Sequence, residues 1–241
     1  MIKIALKILT TLFIILSYQI FAQEYDEERY NQVIKQLKLN ASKVESQFYT
    51  EKKMPYAEGS YIIVVPVLKE KEGNDYYLLQ NYVLITDEKG KIKNQFFDPE
   101  EITSDAIMLQ GFSIDTGFYN LNSTIRAFGV SASYRGSSSP NPYSSSDISM
   151  YYPMGKTLKK VLNQYPLVKS GGEWDMACTG EFYDDVSVII LDKAKINGFA
   201  NLKIKTEHKT TINKEINGEC DQKETSKISY KTLKFNKSVY K

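Results

Sequence analysis

Two cysteines, one histidine and one tryptophan occur in 241 residues, and arginine stands only at positions 29, 126 and 135. Each shortage closes off a chemistry. His208 sits in an alternating, strand-like run with no catalytic motif around it, so the sequence shows no Ser/His/Asp order to exploit. One imidazole and two cysteines do not make a zinc set, least of all if the thiols pair with each other. A phosphate-binding glycine loop and the Gly-x-Ser-x-Gly nucleophile elbow are both missing. Asp184 and Asp185, with Glu181 nearby, lack EF-hand spacing, and adjacent acids in a strand or turn point apart. The expectation is no metal and no cofactor.

Long hydrophobic runs are missing as well. Ile8 to Leu16 is apolar apart from Thr10 and Thr11, roughly half the ~20 residues that a bilayer-spanning helix needs. Lys3 and Lys7 precede it. Ser17 to Ala22 leads out of it toward the acidic run Glu24-Tyr25-Asp26-Glu27-Glu28. That is the build of a cleaved secretory signal over residues 1–22, with the cut after Ala22; an uncleaved anchor is the competing reading. The sequence therefore predicts a secreted or periplasmic protein with no stable membrane insertion after cleavage. Loss of Lys3 and Lys7 brings 31 basic residues level with 29 acids, and a neutral protein has no global attraction to nucleic acid. The lysine-rich end, Lys203 to Lys241, alternates with Thr, Ile, Tyr and Leu, which reads as the wet face of strands.

In an oxidising compartment an even pair of cysteines is normally a disulfide, here Cys178 with Cys220. A reactive thiol is the rival reading.

Residues 23–59 read as an N-terminal helix and connection. Tyr30, Val33, Ile34, Leu37, Ala41, Val44 and Phe48 recur at three- and four-residue steps over 24–49, and Met54-Pro55 breaks that period. Residues 60–241 read as a β-rich domain. Tyr61 to Val65, Tyr82 to Thr86, Val186 to Leu191 and Leu202 to Thr206 are β-branched and aromatic, and Asp87 to Gly90, Asn197-Gly198 and Asn217-Gly218 are turns between them. Gly136 to Ser146 has no apolar period and is expected to be the longest surface loop. Leu158 to Tyr165 fits either a short helix or an irregular strand. The fold class is mainly β and antiparallel with an N-terminal helix, its strands stacked as a sandwich or as an incomplete propeller.

The most distinctive cluster is Gly171-Gly172-Glu173-Trp174-Asp175, followed by Cys178-Thr179-Gly180-Glu181-Phe182. One reading makes Trp174 a stacking platform for a glycan or peptide, with Glu173 and Asp175 accepting hydrogen bonds. The other packs Trp174 on the disulfide and leaves the acids to solvent. Arg126 lies among apolar residues and needs a partner, for which Asp115 on the neighbouring strand is the natural choice; such a pair either positions a ligand or clamps the fold.

Arg126-Ala127-Phe128-Gly129-Val130, Gly136-Ser137-Ser138 with Asn141-Pro142-Tyr143, and Gly172-Glu173-Trp174-Asp175 with Cys178 together resemble a family of uncharacterised exported bacterial β-rich proteins. The resemblance implies an exported, single β-rich domain and brings no activity with it. The resulting expectation is a non-catalytic binding module of the cell envelope, engaging a protein, peptide or glycan. The alternative is a carboxylate-dependent hydrolase of envelope glycans or peptides, requiring Glu173, Asp175 or Glu181 beside another acid in a cleft.

Overall fold

A computed structural model describes residues 25–73 and 76–241. The signal segment and its cut lie outside the described residues. The helical period beginning near Glu24 yields one helix, α1 (Glu27–Leu37), shorter than the period suggests. Asp26 caps its start by accepting the Arg29 N–H, and Lys38 ends it in the left-handed conformation at φ 55°. Asn40 then caps a separate 3-10 turn at Ala41–Lys43, and a second follows at Ser46–Phe48. The apolar period thus continues through two tight turns, which keep Val44 and Phe48 buried without a continuous helix.

Everything after this is strand. A path of eight strands runs β1 (Thr50–Lys53), β2 (Ser60–Glu72), β3 (Tyr76–Asp87), β4 (Ile92–Ser104), β8 (Thr157–Trp174), β7 (Tyr143–Met154), β6 (Arg126–Gly136) and β5 (Ile107–Asn120). β5 returns to touch β1, where Lys52 Nζ donates to the Ile114 carbonyl at 2.9 Å, so the sheet curls into a nearly closed barrel. The mainly β, antiparallel reading with one N-terminal helix holds, and the strands curl into one nearly closed barrel where a sandwich or an incomplete propeller was expected.

The exception to antiparallel pairing is the β4–β8 seam, with one parallel bridge at Gln95–Thr157. Side chains complete that seam. Asn94 Nδ2 donates to the Gly155 and Thr157 carbonyls, and Lys160 reaches Asp98 at 2.6 Å. Tyr61 to Val65 continues through Pro66 to Glu72 because β1 ends opposite Val64. Beyond it, on the side away from β3, Pro66 offers its carbonyl to the Glu45 N–H and no β1 carbonyl needs the N–H that proline lacks. Leu158 to Tyr165 is strand, and register shifts near Asp147 and Met150 on β7 explain its broken period.

Alternation along the barrel strands points Ile62, Val64, Leu79, Val83, Phe112, Phe128, Val130 and Leu158 inward to one core. A second core forms outside, where β9 (Gly180–Ile196), β10 (Phe199–Ile216) and β11 (Glu219–Leu233) extend β8 as a meander. Leu202, Ile204 and Leu233 of this meander pack with Ile148 and Met150, the outward residues of β7. A two-strand hairpin, β12 (Phe235–Asn236) and β13 (Val239–Tyr240), closes its edge. On the far side α1 lays Val33 and Ile34 over Ile63, Val65 and Leu84. Arg29 locks that helix down, pairing with Glu51 and stacking 3.7 Å from the Tyr61 ring.

Candidate binding site at the barrel end

Toward the end where β6 finishes and β7 begins, the inward residues change character. Along β6 the row Phe128, Val130 passes to Ala132 and Tyr134; along β7 Tyr151 passes to Ser149, Asp147 and Ser145. The barrel there encloses a cavity of about 220 Å³, floored by Val83, Ile102, Phe112 and Val130. Its walls are polar: Asn81, Asp98, Glu101, Tyr134, Asp147 and Tyr151. Strand parity places Asn81, Asp98, Tyr134, Asp147 and Tyr151 there, because a residue at inward parity in a barrel has nowhere else to point, whereas Glu101 reaches it from the bulge of residues 99–101 opposite Gln80.

The walls are electrostatically uneven. Asp98 is held by Lys160 at 2.6 Å and accepts the Tyr151 hydroxyl at 3.1 Å. Burial beside Asp98 drives the Tyr151 phenol well above its ordinary range. Glu101 pairs with Lys69. Asp147 makes neither a hydrogen bond nor an ion pair among the described residues, and burial raises its pKa. Tyr134 is pushed up to about 12, by burial first and by the Asp147 charge second. Asn81 is 5% exposed, and its Oδ1 has no hydrogen-bond partner.

The inner face continues past the cavity. Tyr134 and Ser145 line the cavity; two residues further on, Gly136 and Tyr143 line an open groove of about 690 Å³. Ile107, Pro142 and Tyr183 give this groove apolar walls, and Glu173 and Glu181 give it an acidic end. Two glycines shape it. A Cβ at Gly171 would meet the Tyr183 ring and hydroxyl at 2.6–3.0 Å, and one at Gly172 would meet Phe182 at 2.4 Å.

The residues singled out by sequence separate. Glu173 lines the groove, directly across the β8–β9 ladder from Glu181. Trp174 shapes the groove from behind. Its Nε1 donates to the Ser139 carbonyl at 2.8 Å, its backbone N–H donates to Pro140, and its ring leans on Phe182 at 6.2 Å. It thereby pins the 137–142 loop, which is shorter than expected because Ser144 to Ser146 belong to β7. Asp175 builds a turn, accepting the N–H groups of Ala177 and Cys178 at 2.9 Å each, which lowers its pKa. Cys178 and Cys220 are joined, linking the β8–β9 turn to the start of β11.

Arg126 lies apart from this cluster and makes no ion pair with Asp115. Its guanidinium donates to the Thr116 and Gly117 carbonyls and is sandwiched between Tyr56 at 3.6 Å and Phe118 at 4.8 Å. The register explains the change: Asp115 stands opposite Gly129, and the extra residues 116–118 bulge toward the arginine. Asp115 instead accepts the Gly117 N–H and the Tyr119 hydroxyl.

No family model matches the chain. Neither a curated protein nor a solved structure is significantly similar to it.

One arrangement escaped the sequence reading. His208 contacts Asp185 at 2.7 Å through Nδ1 and Ser229 at 2.8 Å through Nε2, across β9, β10 and β11. Three strands bring together residues that sequence spacing keeps apart. Asp185 and His208 are 39% and 41% exposed, whereas nucleophile activation relies on a water-excluded site with preorganised donors. We therefore read the relay as a tie across the meander. Among the described residues no group of three or more His, Cys, Asp or Glu is placed to hold a metal, and no helix is long and apolar enough to cross a membrane.

Proposed function

We propose that the protein is exported to the periplasm or beyond, and acts there as a non-catalytic binding module whose working surface is the barrel end. One observation carries the reading: the inward rows of β6 and β7 that line the polar cavity reach, two residues further on, Gly136 and Tyr143 of an aromatic- and glycine-lined groove. Sites at barrel mouths combine apolar walls with a few convergent polar groups, as this one does. The joined cysteines and the signal-like segment support the oxidising address.

The groove suits a segment of an envelope glycan or peptide, with Tyr143 and Tyr183 as contact surfaces of low entropy cost. Against the hydrolase alternative, Glu173 and Glu181 are both exposed where they line the groove, and Asp175 is committed to its turn. A photo-reactive phenylalanine at Tyr143, compared in cells with one at Thr232, tests the surface. Adducts formed from Tyr143 and not from Thr232 support the proposal. Equal adducts, or none, overturn it.

A further inference from the structure

We infer that the outer edge of β11, from Gln222 to Ile228, docks an extended acidic segment of a partner protein, which pairs with it as an added antiparallel strand. This surface goes beyond the barrel-end reading and does not depend on it.

The turn before β11 sets which backbone groups are free. Asn217 and Gly218 both have positive φ, 55° and 82°, and Ile216 stands opposite Glu219. In a two-residue hairpin of this kind the flanking pair is hydrogen-bonded, and bonded pairs then alternate along the ladder. The β10–β11 ladder runs fifteen pairs with no register shift, so the odd-numbered residues of β11 bond to β10. Gln222, Glu224, Ser226 and Ile228 therefore turn their N–H and C=O groups outward, on the side where β11 has no further strand among the described residues. Every residue from Gln222 to Ile228 is exposed, and the β12–β13 hairpin packs only at the far end, with Leu233. The edge of β5 is treated differently: Asp105 Oδ1 and Ser104 Oγ cap the N–H groups of Ile107 and Leu109. At β11 the Cys178–Cys220 bond anchors the hairpin tip, so a guest strand meets an edge already ordered.

Side chains select the guest. Lysine commonly guards an open edge against strand addition, and here the guard is selective. On one face Glu224 pairs with Lys209, and Ser226 donates to Glu207. On the other, Lys223 and Lys227 stand opposite Ile212 and His208, and neither makes an ion pair among the described residues. A second copy docked about the middle of this segment sets Lys223 of each chain against Lys227 of the other, and like charges directly opposite repel. Acids at two positions four residues apart meet the same lysines favourably. Between those acids, apolar side chains fall on the Glu224 face, where Val186, Val188 and Ile228 are 47%, 51% and 50% exposed. The guest is thus a strand with acids on one side and apolar residues on the other, its main chain giving affinity and its alternate side chains specificity.

The test uses the oxidised chain and three capped heptapeptides. The first, Val-Glu-Val-Thr-Val-Glu-Val, places glutamate opposite both lysines; the second carries lysine for glutamate; the third is the first with its two inner valines N-methylated. The first should slow amide exchange at Ser226 and Ile228 and leave Lys227 unchanged, since its N–H already bonds to β10. The lysine peptide should bind about tenfold more weakly, and the N-methylated peptide not at all. Lys223→Gln combined with Lys227→Gln should weaken the first peptide roughly fivefold without lowering the unfolding midpoint. Equal binding of the lysine peptide, or no effect of the double substitution, overturns the acidic guest. Equal binding of the N-methylated peptide overturns strand addition, and no binding of the first overturns the inference outright. Slowing at Ser226 and Ile228 that grows with protein concentration alone assigns the edge to a second copy. Flotation on phosphatidylglycerol vesicles that the double substitution abolishes assigns it to a lipid surface, and either result overturns the inference. Thr232 lies four residues, about 13 Å, past Ile228, so adducts at Tyr143 measured against it are read independently of this edge.

Discussion

The Tyr183 hydroxyl lies over Gly171, where an added Cβ would approach it to 2.6 Å. The ring occupies the space of a missing side chain, and it is at the flexible end of a residue on the next strand. Gly171→Ala is therefore expected to swing Tyr183 out of the groove at a stability cost of about 1 kcal/mol. Gly180→Ala differs, because its Cβ meets the Glu173 carbonyl at 2.7 Å and Trp174 Cα at 2.9 Å. Backbone cannot swing aside, so the loss there should be about 3 kcal/mol. Urea unfolding of the two variants checks the order.

Asp147 shapes the pH dependence of stability. Burial raises its folded pKa above the ordinary 3.8, so between those two values the folded state binds more protons than the unfolded state. Stability then falls as pH rises through that window, and the cost is fully present above the folded pKa. Asp147→Asn should consequently unfold at a higher midpoint than the wild type at neutral pH. The gap should close as pH is lowered below 3.8. Midpoints measured across that range, equal at every pH, would contradict the assignment.

The Cys178–Cys220 bond closes a separation of 42 residues, for which chain entropy gives roughly 4 kcal/mol. It ties turns at one end of the meander, which has no element contact with α1. Reduction should raise amide exchange around residues 175–181 and 214–222 first, and leave α1 protected.

Arg126→Met removes two hydrogen bonds to carbonyls and the contact with Tyr56. A loss of about 2 kcal/mol is expected, with the adducts formed from Tyr143 unchanged. Lost adducts with unchanged stability would return Arg126 to the ligand-binding role that the sequence suggested.

The Asp185–His208–Ser229 line gives the non-catalytic reading its own test. A fluorophosphonate, which phosphonylates activated serines with loss of fluoride, should leave Ser229 unmodified, as mass mapping of the peptide would show. Labelling lost in His208→Gln would make the protein a serine hydrolase.

Local order was legible where one physical rule acts alone. Val186 to Leu191 and Leu202 to Thr206 announce strands through side-chain type, and Asn197-Gly198 announces their turn. Leu158 to Tyr165 was ambiguous because bulges on the partner strand reset its period, and those depend on β7, not on the segment itself. Helix α1 stops at Lys38 although the apolar spacing runs on, since 3-10 turns bury the same residues. The site was harder. Asn81 sits in Leu79-Gln80-Asn81-Tyr82-Val83 at the parity of two core residues, a polar group in an apolar row. That was a usable signal, as was Asp147 before Ile148. What no spacing revealed is that the sheet closes and turns both toward one space. Arg126 illustrates the converse: a scarce residue in an apolar setting, held by a bulge that brings carbonyls to one guanidinium nitrogen instead of an acid.

Native mass spectrometry of the oxidised protein, isolated from its own compartment without denaturation, tests the barrel end as a binding surface most directly. The account predicts a non-covalent adduct on the wild type that is lost when Tyr143 and Tyr183 are both replaced by alanine and retained in Arg126→Met. A bare wild-type mass, or an adduct carried equally by both variants, would contradict it.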